Sequence, residues 1–400
     1  MTTTTGTNSF YLSHPTSLPN AICLGSGRFL RSVLVPALNA GGFRTTILQT
    51  RGTSFLKYLE NRCNDEETSW NYEVDTVEAD GSVLTEFLSC CGAGSMGTVE
   101  YKDAALTWLA EQRNNPIRVI GVGVTEAGLA SGSKSMKDLV DLLGVCFRVD
   151  PNGTVSVINT DNVRLNGDVI SSIVHELLIA EELETEFVEF VKCHVTFHNS
   201  MVDRITSQRE GSNGLVPRCE PVPAKAIVIE DLHGVLPKEF HELKKYGVVV
   251  RSSSGQLSVD IALKLRVANG THTAIAHVMA LNGLLMTDAL SESVEENKHS
   301  GILMRYLDSI FKDQILVAAQ SCFGDDVDAD AVYQDWRKRL THPYFGLSTF
   351  FITQNGAAKG GIRISPTVKD LIKSKKVCKT FFMRFRHYLQ LKFNGLIVIV

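Results

Sequence analysis

Between residues 21 and 49 the sequence passes from a short apolar run, Ala21-Ile-Cys-Leu24, through Gly25-Ser-Gly27 into a helical pattern and out to a second apolar run, Thr45-Thr-Ile-Leu-Gln49. Phe29, Leu30, Val33, Leu34, Ala37 and Leu38 carry the helical pattern, which stops at Gly41-Gly42. Apolar residues at three- and four-residue steps make one face of a helix, and glycines end it. A strand, a glycine turn, a helix and a strand in that order open a doubly wound parallel sheet. Later segments fit the same scheme. Ile117-Arg-Val-Ile-Gly-Val-Gly-Val124 reads as a buried strand preceded by a helix from Lys102 to Arg113. Val155-Ser-Val-Ile158 reads as another, followed by a long amphipathic helix from about Val169 to Val191.

A breaker-rich stretch, Gly211-Ser-Asn-Gly through Pro217 to Pro221-Val-Pro223, marks a change of composition and is taken as the domain boundary. Beyond it the pattern is mainly helical, over about 258–283, 285–296, 300–321 and 329–340. The expected fold class is α/β: a Rossmann-like doubly wound N-terminal domain over 21–220, then a mostly α-helical substrate and catalytic domain over 221–400. Residues 1–20 are Thr- and Ser-rich and read as a flexible tail without a secretory signal. In such an architecture chemistry is expected in the cleft between the domains.

Several function classes are disfavoured. A net charge of -4 over 400 residues gives no basic field for nucleic acid. The basic residues between Lys369 and Lys379 and between Arg384 and Lys392 read as a solvated helix. No apolar run approaches the ~18 residues that cross a bilayer. The nine cysteines include no C-x2-C pair, and Cys90 and Cys91 are adjacent, so reduced thiols in a cytoplasmic protein are the simplest account. No H-E-x-x-H or Cys/His cluster points to a metal. Any redox chemistry on an alcohol therefore needs a protein base.

Gly25 and Gly27 supply the G-x-G of a phosphate turn, where the backbone can approach a pyrophosphate at a helix N-terminus. The third glycine of that fingerprint is replaced by Leu30. At the end of the second strand an acidic residue favours NAD and an arginine accommodates the extra phosphate of NADP. This chain has Gln49-Thr-Arg51-Gly and no carboxylate there, so NAD or NADP is expected, with Arg51 as the phosphate contact.

Lys264-Leu-Arg-Val-Ala-Asn269-Gly-Thr-His272 gathers an amine, an amide and an imidazole. In a regular helix Lys264, Ala268 and His272 stack at four-residue steps, with Asn269 one turn before His272. Such a set can take a proton from a secondary alcohol, polarise its oxygen and orient it. The plainer reading is an exposed helix with three solvated side chains.

Further motifs favour the first reading, because together they resemble one family, the polyol-specific long-chain dehydrogenases, which include mannitol 2-dehydrogenases and the fructuronate and tagaturonate oxidoreductases. Gly25-Ser-Gly-Arg-Phe29-Leu-Arg31 is similar to its G-x-G-x-F-x-R turn, and Val124-Thr-Glu126-Ala-Gly to its T-E-x-G strand end. Asp161-Asn162-Val-Arg-Leu-Asn166-Gly167 resembles its D-N-x-x-x-N-G loop, and Phe197 to Thr206 its V-D-R-I signature. The K-x4-N-x2-H spacing is also the family's. The resemblance covers roughly residues 20–366.

The resemblance implies metal-independent hydride transfer between an alcohol or its ketone and a nicotinamide. By it, Lys264 is the general base in oxidation and the acid in reduction. Asn269 and an asparagine of the 161–167 loop, Asn162 ahead of Asn166, polarise the reacting oxygen, and His272 orients the substrate. A lysine free in water is too basic for this at neutral pH, so the role requires that burial depress it. Gly25, Gly27, Phe29, Arg31, Thr125 and Glu126 are expected at the cofactor, with Glu126 either on the nicotinamide ribose or capping a helix. Asp203 and Arg204 are either an internal ion pair or a substrate contact. Lys359 and Arg363 are expected to hold a substrate hydroxyl or carboxylate. The family is often monomeric, and the residues leave that open.

The chain departs from the mannitol-type pattern at Ile261, where a glutamate is usual, and at Phe351, where an arginine is usual. It stops earlier than the family does, in Leu396-Ile-Val-Ile-Val400, an apolar segment prone to aggregate unless it packs. Three functions are thus in view: a polyol and keto-sugar oxidoreductase of mannitol/fructose type, a tagaturonate or fructuronate reductase, and a catalytically weak nucleotide-binding homologue.

Overall fold

The computed structural model describes residues 20–62, 70–111, 115–124, 126–291, 300–324 and 327–374. The expected tail, the basic run beyond Ser374 and the apolar C-terminus lie outside these residues, as does Thr125. The chain divides into two compact units. The first comprises the described residues to Glu78 together with Ser82–Leu257; the second comprises Ala79–Gly81 and the described residues from Ser258 onward.

The first unit is built on six parallel strands: β1 (Asn20–Leu24), β2 (Arg44–Gln49), β5 (Gly92–Ser95), β6 (Ile117–Val122), β7 (Val155–Asn159) and β8 (Val195–His198). Their spatial order is β5-β2-β1-β6-β7-β8. Counted within this sheet, that is 3-2-1-4-5-6, the order of a doubly wound dinucleotide fold whose switch point falls between β1 and β6. Alternation along each strand sends side chains to two cores. Ala21, Cys23 and Ile47 join Leu34, Leu38 and Phe55 on one face; Ile22, Leu24, Ile120 and Val122 join Leu109, Leu139, Ile170 and Phe190 on the other.

Two smaller sheets complete this unit. β3 (Trp70–Val77) and β4 (Val83–Cys90) form a hairpin, joined by β10 (Thr206–Gln208) and β11 (Pro217–Cys219) in the order β10-β11-β3-β4. β9 (Ser200–Val202), β12 (Ile227–Glu230) and β13 (Val248–Arg251) form the third, in the order β13-β12-β9.

These sheets correct the expected boundary near residue 220. The breaker-rich stretch is the turn of the β10–β11 hairpin and its exit, not a linker. Downstream of it, β12 pairs with β9, while Ile227, Ile229, Phe240, Leu243 and Val248 fill the first core. Hydrogen bonds and buried apolar area thus hold residues 221–257 in the N-terminal unit, and the chain divides at Leu257/Ser258. The helix expected from Val169 to Val191 is two helices, Asn166–Ala180 and Thr185–His194, broken where Glu182 takes a positive φ of 49°. The helix expected over 285–296 is not formed in its described part, where only a short 3₁₀ turn, Thr287–Leu290, occurs.

The second unit is helical. Gln256–Leu263 runs through a π-helical turn, Lys264–Ala268, into Asn269–Leu281. Ser300–Ile310 likewise passes through a π turn, Phe311–Ile315, into Leu316–Phe323. Ala329–Leu340, Thr349–Thr353, Gly356–Arg363 and Ser365–Lys373 follow. Leu263, Val267, Phe311, Ile315, Ala319 and Tyr333 make its core, with the Phe311 and Tyr333 rings stacked at 3.8 Å.

Candidate functional site

In the first unit the candidate residues gather at the carboxyl ends of the parallel strands, where ligands bind in such sheets. Gly25 follows β1 with a φ of 115°, and its N–H donates to the Leu48 carbonyl at 2.8 Å. A Cβ at Gly25 would collide with the carbonyl of Gly123, just past β6, so only glycine lets the two strand ends approach at the switch point. Gly27 is exposed and immediately precedes the first helix, leaving that helix N-terminus open to an anion. Phe29, in the helix's first turn, is half-buried against the first core.

The amide of Gln49 is committed to the next element. Its Nε2 donates to Ser54 Oγ (3.1 Å) and its Oε1 accepts from the Phe55 N–H (3.0 Å), starting the helix Ser54–Glu60. Arg51, two residues on, is exposed.

Glu126 opens a 3₁₀ turn, Glu126–Leu129, and is exposed. It neighbours Asp161 in the loop after β7. Burial lifts the Asp161 carboxyl above the ordinary range and the Glu126 charge adds to the lift, against the N–H of Asn162, which donates to Asp161 Oδ1 (2.7 Å). The Asn162 side chain is exposed.

Asn166, Arg31 and Arg204, the last expected either as an internal pair or as a substrate contact, are each held by hydrogen bonds within this unit. Asn166 is fully buried; its Nδ2 donates to the Asp161 carbonyl and to Ser200 Oγ, both at 3.0 Å, while its Oδ1 accepts from the Ser200 N–H (2.8 Å). With its amide satisfied on both sides, it pins the loop to β9 rather than reaching a substrate. Arg31 is buried: Nε donates to the Ser26 carbonyl (2.9 Å), Nη2 to that of Gly214 (2.9 Å) and Nη1 to that of Leu215. The guanidinium lies 4.7 Å from the Phe55 ring, and burial pushes its pKa down to about 10. It ties the glycine turn to the β10–β11 hairpin. Arg204 is also buried, donating to the carbonyls of Glu220 and Ser32. That favours the internal reading of Arg204 over substrate contact. Asp203 stands beside it at the end of β9, its N–H on the Ala226 carbonyl (2.8 Å).

The sequence reading gave no role to Asn199, although it lies inside the V-D-R-I segment. Its Oδ1 accepts from the N–H groups of Gly167 (3.0 Å) and Asp168 (3.2 Å), capping the helix Asn166–Ala180. A Cβ at Gly167 would overlap the His198–Asn199 backbone, which explains the glycine that closes the loop motif.

In the second unit the π turn changes the geometry expected of a regular helix. There Lys264 and Asn269 would point about 140° apart. Here the Asn269 N–H donates to the Lys264 carbonyl, five residues back, so the wider turn brings both onto one face of the helix. His272 follows one turn later and is buried, its ring 5.4 Å from that of Trp336. His272 Nε2 and Thr273 Oγ1 both meet Arg363 Nη1, at 3.1 and 2.9 Å. Lys359 Nζ donates to the carbonyls of Phe351 (2.7 Å) and Ile352 (3.0 Å), closing the short helix Thr349–Thr353. Burial, then the Arg363 charge, lowers the Lys359 pKa. Trp336 beside His272, and Arg363 against Thr273, had no local signal, because both contacts depend on packing between helices distant in sequence.

Among the described residues no cluster of three or more His, Cys, Asp or Glu could hold a metal ion, and no helix is long and apolar enough to cross a membrane. Cys23, Cys90, Cys91, Cys146, Cys193, Cys219 and Cys322 are free thiols.

A 3-2-1-4-5-6 parallel sheet with a glycine turn at its switch point defines a Rossmann-type dinucleotide fold, here followed by a helical unit. Residues 19–245, more than half of the chain, match the mannitol dehydrogenase Rossmann domain, and the chain belongs to the mannitol dehydrogenase family. A mannitol 2-dehydrogenase of Cereibacter sphaeroides is 33% identical over 224 residues, covering 48% of this chain and 44% of that protein. One of Phaeosphaeria nodorum is 26% identical over 141 residues, covering 32% and 23%. These matches span less than half the length of either curated relative. Among solved structures, a substrate-free D-sorbitol dehydrogenase superposes with a TM-score of 0.71 at 18% identity, covering 90% of this chain and 77% of that one. The Pseudomonas fluorescens mannitol 2-dehydrogenase, a ternary complex with NAD and D-mannitol, gives 0.64 at 16% identity, covering 90% and 76%. Both share the fold.

Proposed function

We propose that the chain is an NAD(P)-dependent oxidoreductase that interconverts a polyol and a keto-sugar, with fructose and mannitol as the first pair to test. The observation that supports this most is the π turn that stacks Lys264 and Asn269 on one helical face, with His272 a turn beyond, in a member of the mannitol dehydrogenase family. A dinucleotide fits the first unit: Gly25, where a Cβ would collide with the Gly123 carbonyl, makes the sharp turn after β1, and the exposed Gly27 opens a helix N-terminus. Gly25 and Gly27 would hold the pyrophosphate, Arg51 a ribose phosphate and Glu126 the far ribose. When bound, the nicotinamide supplies or accepts the hydride.

The remaining chemistry falls to the second unit's side chains. In reduction, the Lys264 ammonium gives its proton to the carbonyl oxygen of the keto-sugar; in oxidation the neutral amine takes it back. The Asn269 amide stabilises the oxygen as charge develops, and a neutral donor does so without opposing the lysine. Asn162, exposed after β7, is the candidate for a second such donor. His272 holds the substrate hydroxyl beside the reacting carbon. The polyol reading is preferred to the hexuronate one because the two cations expected at a carboxylate are engaged by carbonyls, in Lys359, and by His272 and Thr273, in Arg363. Free thiols suit a reducing compartment such as the cytoplasm.

The test is oxidation of NADH and NADPH against fructose, tagaturonate and fructuronate. Lys264→Ala should lower turnover about a hundredfold or more with its melting temperature unchanged. Near-normal turnover in that variant would remove the proposed role. Arg51→Ala should weaken NADPH while leaving NADH little changed; equal loss with both would show that Arg51 does not read the phosphate.

A further inference from the structure

We propose that Arg363 is a positioning residue that fixes the tautomer of His272, leaving Nδ1 as the proton-bearing nitrogen of that ring. The guanidinium stands at the end of the helix Gly356–Arg363 and directs Nη1 at His272 Nε2 (3.1 Å) and at Thr273 Oγ1 (2.9 Å). A guanidinium carries donors and no acceptor, so both bonds run outward from Arg363. Nε2 therefore accepts and bears no hydrogen. A neutral imidazole in that position holds its hydrogen on Nδ1.

Three features keep the arrangement in place. One nitrogen with two hydrogens serves two adjacent acceptors, and the Thr273 bond fixes the direction of the hydrogen aimed at His272. The His272 ring is buried against Trp336, so exchanging its two nitrogens by rotation would disturb close packing. The helices also meet closely: a Cβ at Gly270 would lie 3.2 Å from the Arg363 carbonyl oxygen, which fixes the backbone from which the guanidinium reaches His272.

The tautomer decides what the ring can offer. With Nδ1 protonated the ring donates a hydrogen bond from that side, as holding a hydroxyl or developing alkoxide oxygen requires; the other tautomer presents a lone pair there. This consequence for turnover rests on the oxidoreductase reading above, whereas the tautomer itself does not.

The experiment is two-bond proton–nitrogen correlation on the full chain labelled with ¹⁵N-histidine, with the His272 signals assigned by their loss in His272→Asn. The wild type should show the Nδ1–H pattern. Arg363→Met should convert His272 to the Nε2–H pattern, and Arg363→Lys, which keeps a cationic donor, should retain Nδ1–H. Turnover of fructose with NADH or NADPH should fall at least about tenfold in kcat in Arg363→Met with KM little changed, and recover in Arg363→Lys. A wild-type ring already in the Nε2–H form overturns the proposal, even if the methionine variant does not fold. So does an unchanged pattern in Arg363→Met, or a changed pattern with full kcat. A wild type with the Nδ1–H pattern and no turnover on any of the three ketoses tested above would instead count against the oxidoreductase reading alone.

Discussion

Removing the Arg31 guanidinium would leave three backbone carbonyls, those of Ser26, Gly214 and Leu215, without the donor that meets them inside the N-terminal unit. These bonds are only part-buried, so water recovers some of the about 1–3 kcal/mol that each fully buried acceptor costs on losing its partner. Arg31→Met should therefore lower unfolding stability by about 2–4 kcal/mol, read as a lower denaturant midpoint at unchanged slope. A variant with wild-type stability but a raised KM for NAD(P)H would restore Arg31 to the cofactor. The glycines of the same turn were legible from sequence because their reason is local: a sharp turn between a strand and a helix. The partners of Arg31 lie 183 and 184 positions further along, and no local pattern reports them. Asn166 is a similar case, its amide committed to Ser200, 34 positions away.

Between elements, His198 at the end of β8 is a junction. One ring nitrogen, Nδ1, lies 2.9 Å from the Glu230 carbonyl of β12, and Nε2 lies 3.1 Å from Ser156 Oγ of β7. Both bonds are satisfied by a neutral ring that donates from Nδ1 and accepts at Nε2. Burial lowers the His198 pKa, outweighing the Glu230 carbonyl and the Asp231 charge. Below pH about 6.5 the unfolded chain takes up a proton that the folded chain still refuses. Stability is thus lost as pH falls from the unfolded pKa towards the lower folded one. His198→Gln removes that term, and its melting temperature should fall less than that of the wild type on going from pH about 7 to about 5. Parallel slopes for the two proteins would mean that His198 does not carry the acid limb. Four of the six parallel strands, β1, β2, β6 and β7, could be read from sequence because each carries an apolar run, whereas β5, Gly92-Ala-Gly-Ser95, and β8, Val195-Thr-Phe-His198, carry none and could not. The hairpin sheet could not be read that way, although Trp70, Tyr72 and Val74 alternate with polar residues and carry a period-two signal. The π turn at Lys264 has no compositional mark; K-x4-N spacing makes chemical sense only once the helix is known to widen there.

At the scale of the whole chain the question is where one folding unit ends. Proline and glycine between 211 and 223 imitate a linker, since a hairpin turn and a linker use the same residues for the same φ freedom. What separates the two is the fate of the apolar residues that follow, and Ile227, Ile229, Phe240, Leu243 and Val248 return to the first core. A fragment ending at Leu257 should fold with a single cooperative melt and bind NAD(P)H, detected by quenching of its tryptophans. A fragment ending at residue 220 lacks β12 and β13, opens that core and leaves the Asn199 carbonyl without the Glu230 N–H. Fully burying a Val, Leu, Ile or Phe side chain is worth about 1.5–3 kcal/mol, so the loss of five such groups, with the opened cavity added, is as large as the roughly 5–15 kcal/mol that holds a typical domain together. The shorter fragment should show no cooperative melt and bind a dye for exposed apolar surface. Cooperative folding of both fragments would return the boundary to the hairpin and make residues 221–257 an appendage of the helical unit.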